Sequence, residues 1–208
     1  MEPTSGTAAI FGQPALDARA HTGYLTQTFS LYPDLTVTEN IQYIGDLRRV
    51  PRTEIGRRAH RYLQMFDMDR FTDRLAGRLS GGMKQKLALV CALVPEPNVL
   101  LLDEPTTGVD PVSRREFWDA LAHLALDGLT ILVATPYLDE AERCHRVALM
   151  HAGVIRQVGT PNDIRASLGA TRLEVRVSPL AQAEEALTAA RDPNVLDEAA
   201  VARAAIER

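Results

Sequence analysis

Two adjacent carboxylates, Asp103 and Glu104, stand directly after the apolar run Val99–Leu102. That run is short enough to be a strand buried on both faces, as in a parallel sheet. Ligands bind in open α/β sheets at the carboxyl ends of parallel strands. Two neighbouring carboxylates at the end of a buried strand indicate a functional role, because burying charge costs free energy. We therefore predict a functional site; the alternative is a buried strand that happens to end in acids.

A second candidate site lies upstream, where Ser80, Gly81 and Gly82 precede a predicted helix over residues 83–94. One face of this helix is apolar, at Leu87, Val90, Cys91 and Val94. Glycines at a helix N-terminus let backbone N–H groups approach a bound anion. Pro95 and Pro97 end the helix. We expect this turn to contact an anionic ligand.

The two sites form part of an ordered series of motifs. LSGGM at residues 79–83 resembles the signature of ATP-binding cassette (ABC) ATPases. VLLLDEP at 99–105 resembles their Walker B strand with its adjacent glutamate, and TTGVDP at 106–111 resembles their D-loop. Three motifs in the family's order within one short stretch argue against a chance match. The resemblance extends from about Pro3 to Thr160.

The resemblance implies an α/β fold, a P-loop NTPase-like ABC cassette fragment with a mixed sheet core and a helical subdomain. We expect residues 1–30 to form part of the ATPase core and residues 31–95 to form the helical subdomain with the signature. Residues 96–169 would complete the core. A small α+β tail, residues 170–208, is interpreted as an appended packing element, with regulation or dimerisation as the alternative.

The family also implies roles for the residues at the strand ends. Asp103 would hold Mg²⁺, usually through water, and Glu104 would polarise the attacking water as general base. Gln27 is the last residue of the β-prone segment 22–27 and resembles the Q-loop glutamine, which binds metal or water and links the nucleotide state to the membrane partner. The alternative for Gln27 is an ordinary strand-end glutamine.

In the family, two cassettes face each other head to tail, and the signature of each closes on the ATP of the other. Ser80, Gly81, Gly82 and Met83 would bind that nucleotide through N–H groups and the helix dipole. Asp110 would couple the two sites. Capping of the following helix, with Pro111 at its first position, also explains Asp110.

The sequence departs from the family pattern in two places. It contains no G-x-x-x-x-G-K-[ST] loop, and neither of its two lysines, Lys84 and Lys86, follows a glycine. We therefore expect a chain truncated inside the cassette, with no measurable ATP binding at its own Walker site. Pro136 occupies the switch-histidine position after the predicted buried strand 130–135, and this change would slow hydrolysis about 10–100-fold.

The amino-acid composition limits which classes of partner and which cellular compartment are expected. The net charge is −4, from 23 basic and 27 acidic residues, so nucleic acid is not expected. No apolar run reaches the roughly 18 residues of a membrane span, and the start lacks a signal-peptide pattern. Two cysteines favour a reducing compartment. The neighbours Cys144 and His145 lack a second ligand pair and are not expected to bind metal.

We therefore expect an ATP-binding and ATP-hydrolysing subunit of an ABC transporter of the export or multidrug branch, inactive alone because of its truncation. Its cofactors would be ATP and Mg²⁺. Its partners would be a transmembrane permease and a second cassette, at the cytoplasmic face of the membrane. The alternative is a non-catalytic cassette that lends its signature and D-loop to a complete one. A soluble ABC protein without a membrane partner is disfavoured, and the transported substrate is not specified by the sequence.

Overall fold

A computed structural model describes residues 4–27 and 30–167 of the chain, and these residues form both strands and helices. The strands are β1 (Ala9–Ile10), β2 (Gln13–Pro14), β3 (Thr22–Leu25), β4 (Val99–Asp103), β5 (Thr130–Ala134), β6 (Val147–His151) and β7 (Val154–Gly159). The helices are α1 (Val37–Leu47), α2 (Arg52–Met65), α3 (Gly81–Leu93), α4 (Pro111–Leu126), α5 (Leu138–Ala141) and α6 (Pro161–Ser167). Single 3₁₀ turns cover Asp17–His21, Asp69–Phe71 and Ala76–Arg78. The chain divides into two compact units, Met1–Pro136 and Tyr137–Arg208.

The first unit is built around a parallel sheet in which β4 lies between β3 and β5. Leu25 pairs with Leu102 on one side of β4, and Asp103 pairs with Ala134 on the other. All three strands therefore end at the same edge of the sheet. This register brings the residues that follow β3, β4 and β5 close together.

The two faces of this sheet differ in burial. On one face, Leu25, Leu100 and Leu102 are at most 4% exposed. The register places Tyr24, Leu101 and Leu132 in one row on the other face. Tyr24 is 57% exposed and Leu132 is 65% exposed. The helices of the first unit thus cover mainly one face of the sheet.

The prediction of a strand within residues 130–135 is confirmed, but the prediction that this strand is buried was wrong. The strand exists as β5, but its residues alternate between exposed and half-buried. In the described sheet it is an edge strand with β4 as its one neighbour, so fewer atoms pack against it. The central strand β4 is more deeply buried, although Leu101 is only partly covered.

Helix α3 is the centre of the hydrophobic core of the first unit. Its residues Leu87, Leu89 and Val90 are fully buried. Helix α1 begins with a capping box, in which the Thr36 and Glu39 side chains accept hydrogen bonds from each other's backbone N–H groups. Phe66 and Met68 are also buried in this core.

The second unit contains a hairpin, in which β6 and β7 pair antiparallel with an irregularity between Leu149 and Met150. Helix α6 follows it. The predicted α+β tail, residues 170–208, lies outside the described residues. No helix in residues 4–27 and 30–167 is long and apolar enough to cross a membrane.

Candidate functional site

Gln27 and Glu104 meet at the edge where the parallel strands end. Gln27 lies two residues after β3, and Glu104 comes directly after β4. The Gln27 side-chain Nε2 donates a hydrogen bond to Glu104 Oε2 over 3.2 Å. These residues are 77 positions apart in the sequence, so the fold brings them together.

The backbone turns sharply at Glu104. Its φ of 45° lies in the left-handed region, which residues with a side chain adopt at a cost. Its N–H donates to the Ala134 carbonyl oxygen over 2.8 Å, which holds the turn against β5. Non-glycine residues in this conformation concentrate at functional sites, where the surrounding structure holds them in place.

Thr107 is the second group that holds the Glu104 side chain. Its Oγ1 donates to Glu104 Oε2 over 3.1 Å, and its backbone N–H donates to the Glu104 carbonyl oxygen over 3.2 Å. Within the described residues, both hydrogen bonds to the Glu104 carboxylate therefore fall on Oε2. Oε1 is left as the oxygen that can accept a proton from a ligand or water.

Asp103 completes the acidic group as the last residue of β4, and it is half-buried. In the part of the chain that the structure describes, no three His, Cys, Asp or Glu side chains form a metal-binding group. The oxygens available here are two carboxylates and one amide. That small set of hard oxygen donors fits Mg²⁺, which keeps several water or phosphate ligands rather than a full protein cage.

Pro136 lies two residues beyond Ala134, the β5 residue that pairs with Asp103. It is exposed, and proline offers neither a side-chain donor nor a backbone N–H. A histidine at this position could donate to a ligand, whereas Pro136 can contribute only shape and its carbonyl oxygen.

The predicted signature residues form the first turn of α3. Ser80 is the N-cap, and its Oγ accepts a hydrogen bond from the Met83 N–H over 3.3 Å. A Cβ added to Gly81 would meet nothing within 4 Å. The first N–H groups of a helix have no partners within that helix, so the exposed side of this turn can receive an anion.

Gly82 faces the opposite way, towards the start of α4. A Cβ there would lie 2.6 Å from the Ser113 Cβ, closer than real carbon atoms approach each other. The same Cβ would lie 3.6 Å from Asp110 Oδ2. The first turns of α3 and α4 therefore pack directly together through Gly82.

Asp110 is the N-cap of α4, as expected from the sequence. Its Oδ1 accepts the N–H groups of Ser113 over 2.9 Å and Val112 over 3.1 Å. Hydrogen bonds from Ser113, with a smaller contribution from Val112, hold the pKa of Asp110 below its ordinary value of 3.8. Capping explains the residue fully within this chain, and coupling to a second site remains a prediction.

The structure thus gathers the predicted residues into two groups. Gln27, Asp103, Glu104 and Pro136 lie at the ends of the parallel strands, and Ser80–Met83 lie beside Asp110 at the starts of α3 and α4. Sequence reasoning did not single out Thr107 or Ser113. The i,i+3 spacing from Glu104 to Thr107 across Pro105 is a turn signal that could have indicated the first.

Known proteins resemble this chain in sequence. The family model "ABC transporter" matches residues 1–107. The "Probable multidrug ABC transporter ATP-binding protein YbhF" of Escherichia coli (strain K12) is 48% identical over 168 residues, which cover 79% of this chain and 29% of that protein. The Nod factor export ATP-binding protein I of Paraburkholderia xenovorans is 37% identical, covering 83% of this chain and 59% of the relative. The chain thus spans less than two thirds of the length of these relatives.

Solved structures resemble the fold. The cbiO1 protein of a Clostridium perfringens ABC transporter complex superposes with a TM-score of 0.72 at 27% identity, covering 81% of this chain and 71% of that one. A bacterial ABC transporter cassette solved as a dimer gives a TM-score of 0.68 at 27% identity, covering 77% and 75%. With the family match, the identity to the relatives and the ordered motifs in agreement, the chain belongs to the ATP-binding proteins of the ABC transporter family.

Proposed function

We propose that this chain is an ATP-binding and ATP-hydrolysing subunit of an ABC transporter that drives export through a separate transmembrane subunit. The observation that carries the proposal is the contact between Gln27 and Glu104, beside Asp103, at the ends of adjacent parallel strands. An activated-water reaction needs such a carboxylate, held in place and open on one oxygen.

Glu104 acts as the general base in this proposal. Its Oε2 is held by Gln27 and Thr107, and its Oε1 accepts the proton of the water that attacks the γ-phosphorus of ATP. Asp103 and the Gln27 amide oxygen would hold Mg²⁺. The ion, when bound, neutralises charge on the phosphate oxygens. The sequence contains no G-x-x-x-x-G-K-[ST] loop, so this proposal requires the assembled transporter to supply the group that holds the ATP phosphates. The described residues of this chain supply the water-activating group and its positioning.

The signature turn of α3 serves a second cassette. The exposed side of Gly81 and the first N–H groups of the helix receive the γ-phosphate of an ATP bound by the partner, in a head-to-tail pair. The dimeric form of one related bacterial cassette supports this arrangement. The second cassette is another copy of this chain or a related protein.

The membrane partner binds next to β3, the strand that precedes Gln27. A groove of about 220 Å³ is lined by Leu25 and Thr26 from the β3 segment, by Ile44 and Leu47 from α1, and by residues of α3. Leu47 is 64% exposed on its lip. An apolar groove that adjoins Gln27 lets a docked transmembrane subunit respond to the nucleotide state. The names of the relatives, which refer to multidrug transport and Nod factor export, support an exporter at the cytoplasmic face of the membrane.

The test is ATP hydrolysis by the assembled transporter, purified with this chain in place. Glu104→Gln keeps the shape and removes the base, so hydrolysis at this chain's site should fall about 10²–10⁴-fold. Glu142→Gln, which removes an exposed carboxylate of the second unit, is the control and should have no effect.

A second variant, Gly81→Asp, tests the signature turn, which contacts the ATP of the partner, separately from the catalytic Glu104. The site has room for the side chain, and a carboxylate suits a helix N-terminus, but its charge repels phosphate. We expect both Glu104→Gln and Gly81→Asp to slow hydrolysis. If only Gly81→Asp did so, the chain would be a non-catalytic partner, and the proposed hydrolytic role would be wrong.

A further inference from the structure

The turn after β4 ties Thr107 to Glu104 twice. The Thr107 N–H donates to the Glu104 carbonyl oxygen over 3.2 Å, and the Thr107 hydroxyl donates to the Glu104 carboxylate over 3.1 Å. Gly108 follows with a φ of 76°, so the chain turns away directly after Thr107. Thr107 thereby contacts both the backbone and the side chain of Glu104.

The surroundings of Glu104 make this contact important. Pro136 brings no hydrogen-bond donor to the same edge of the sheet. Among the described residues, the carboxylate is held by the Gln27 amide and the Thr107 hydroxyl. Gln27 lies beyond the end of a separate strand, β3, and is exposed, whereas Thr107 belongs to the same tight turn as Glu104. Thr107 is therefore the donor that stays with the carboxylate whenever Gln27 moves.

We propose that Thr107 is a positioning residue for the hydrolysis of ATP. Its hydroxyl engages Oε2 of Glu104 and so keeps Oε1 as the oxygen that accepts the proton of the attacking water. The inference rests on the proposed function, in which Glu104 is the base. Small displacements of a reacting group cost up to about 100-fold in rate, so a freely rotating carboxylate is a poor base.

The first experiment observes the carboxylate directly in the full chain. Thr107→Val removes the hydroxyl and keeps the shape, and Thr107→Ser restores the hydroxyl. In ¹³C-glutamate-labelled protein, with the Glu104 signal assigned by Glu104→Gln, Thr107→Val should move the Glu104 carboxyl resonance and Thr107→Ser should return it.

A matched control comes from α1. The Thr38 hydroxyl is also exposed and donates to a backbone carbonyl oxygen, that of Thr72, over 3.1 Å. Thr38→Val should leave the Glu104 resonance in place. An unchanged resonance in Thr107→Val, in protein whose amide spectrum shows it folded, would overturn the proposal.

The second experiment measures ATP hydrolysis by the assembled transporter. Thr107→Val should lower kcat about 10–100-fold with KM unchanged, and Thr107→Ser should recover most of the rate. If Glu104→Gln slowed hydrolysis but Thr107→Val did not, the positioning role alone would be wrong. If Glu104→Gln itself had no effect, the proposed function would be wrong, and the positioning role of Thr107 would be wrong with it.

Discussion

Gly82 packs where no side chain fits, between the first turns of α3 and α4. Gly81, its neighbour in the same motif, faces open space. One glycine thus joins two helices inside the chain, while the other leaves room for a ligand. The sequence presents them as an identical pair, and only the packing of α4 separates their roles.

Gly82→Ala should destabilise the fold by about 1–3 kcal/mol, because its Cβ overpacks against Ser113. Gly81→Ala, the matched variant in the same turn, should change the free energy of unfolding by no more than about 0.5 kcal/mol. Urea unfolding of the two variants checks the difference. Equal destabilisation would mean that α3 and α4 do not meet at Gly82.

Asp110 should make folding stability depend on pH. Its pKa is lower in the folded chain than the ordinary value of 3.8, so its stabilising effect is complete above that value. The effect is lost as the pH falls through the lower folded-state pKa. Asp110→Asn can still cap α4 but does not titrate.

The measurement is urea unfolding of wild type and Asp110→Asn over a pH series. The stability advantage of the wild type should be greatest near neutral pH and should shrink as the pH falls below about 4. Other carboxylates titrate equally in both proteins, so the difference isolates Asp110. A difference that stays constant down to about pH 2 would contradict the capping charge.

At the scale of elements, the lip of the groove at the end of α1 should bind the transmembrane subunit. Leu47→Asp places a charge on that lip and should abolish co-purification with the membrane subunit. Leu126→Asp is closely matched, because Leu126 is also the last residue of its helix and is 84% exposed. It should co-purify normally. Loss of binding in both variants, or in neither, would place the membrane partner elsewhere.

Local signals predicted most elements correctly. The N-cap at Asp110 and the apolar run of β4 each depend on a few neighbouring residues, so the sequence alone contains their cause. The burial of β5 could not be predicted in this way. Its residues resemble those of β4, but burial depends on strand order and on which faces are covered.

The candidate site could also be predicted only in part, because some of its features depend on the whole fold. Motif resemblance indicated Gln27 and Glu104 separately, and the strand register explains why they meet. Thr107 and Ser113 were missed because their roles depend on where single atoms lie. A hydroxyl 3.1 Å from a carboxylate, or a methylene against a glycine, leaves no periodic pattern in the sequence.

At the scale of the whole molecule, the first unit contains every residue that the proposal uses. Gln27, Asp103 and Glu104 lie at one edge of its sheet, and the signature begins the helix at the centre of its core. The central claim is that Glu104 activates the water that cleaves ATP at this chain's site.

The nucleotide retained by the assembled transporter tests that claim most directly. Wild-type and Glu104→Gln complexes are incubated with Mg²⁺ and ATP, separated rapidly from free nucleotide, and analysed for bound ATP and ADP. The Glu104→Gln complex should retain uncleaved ATP at this chain's site, whereas the wild type should hold ADP or have released it. The same ADP content in both complexes would contradict the assignment of Glu104 as the base.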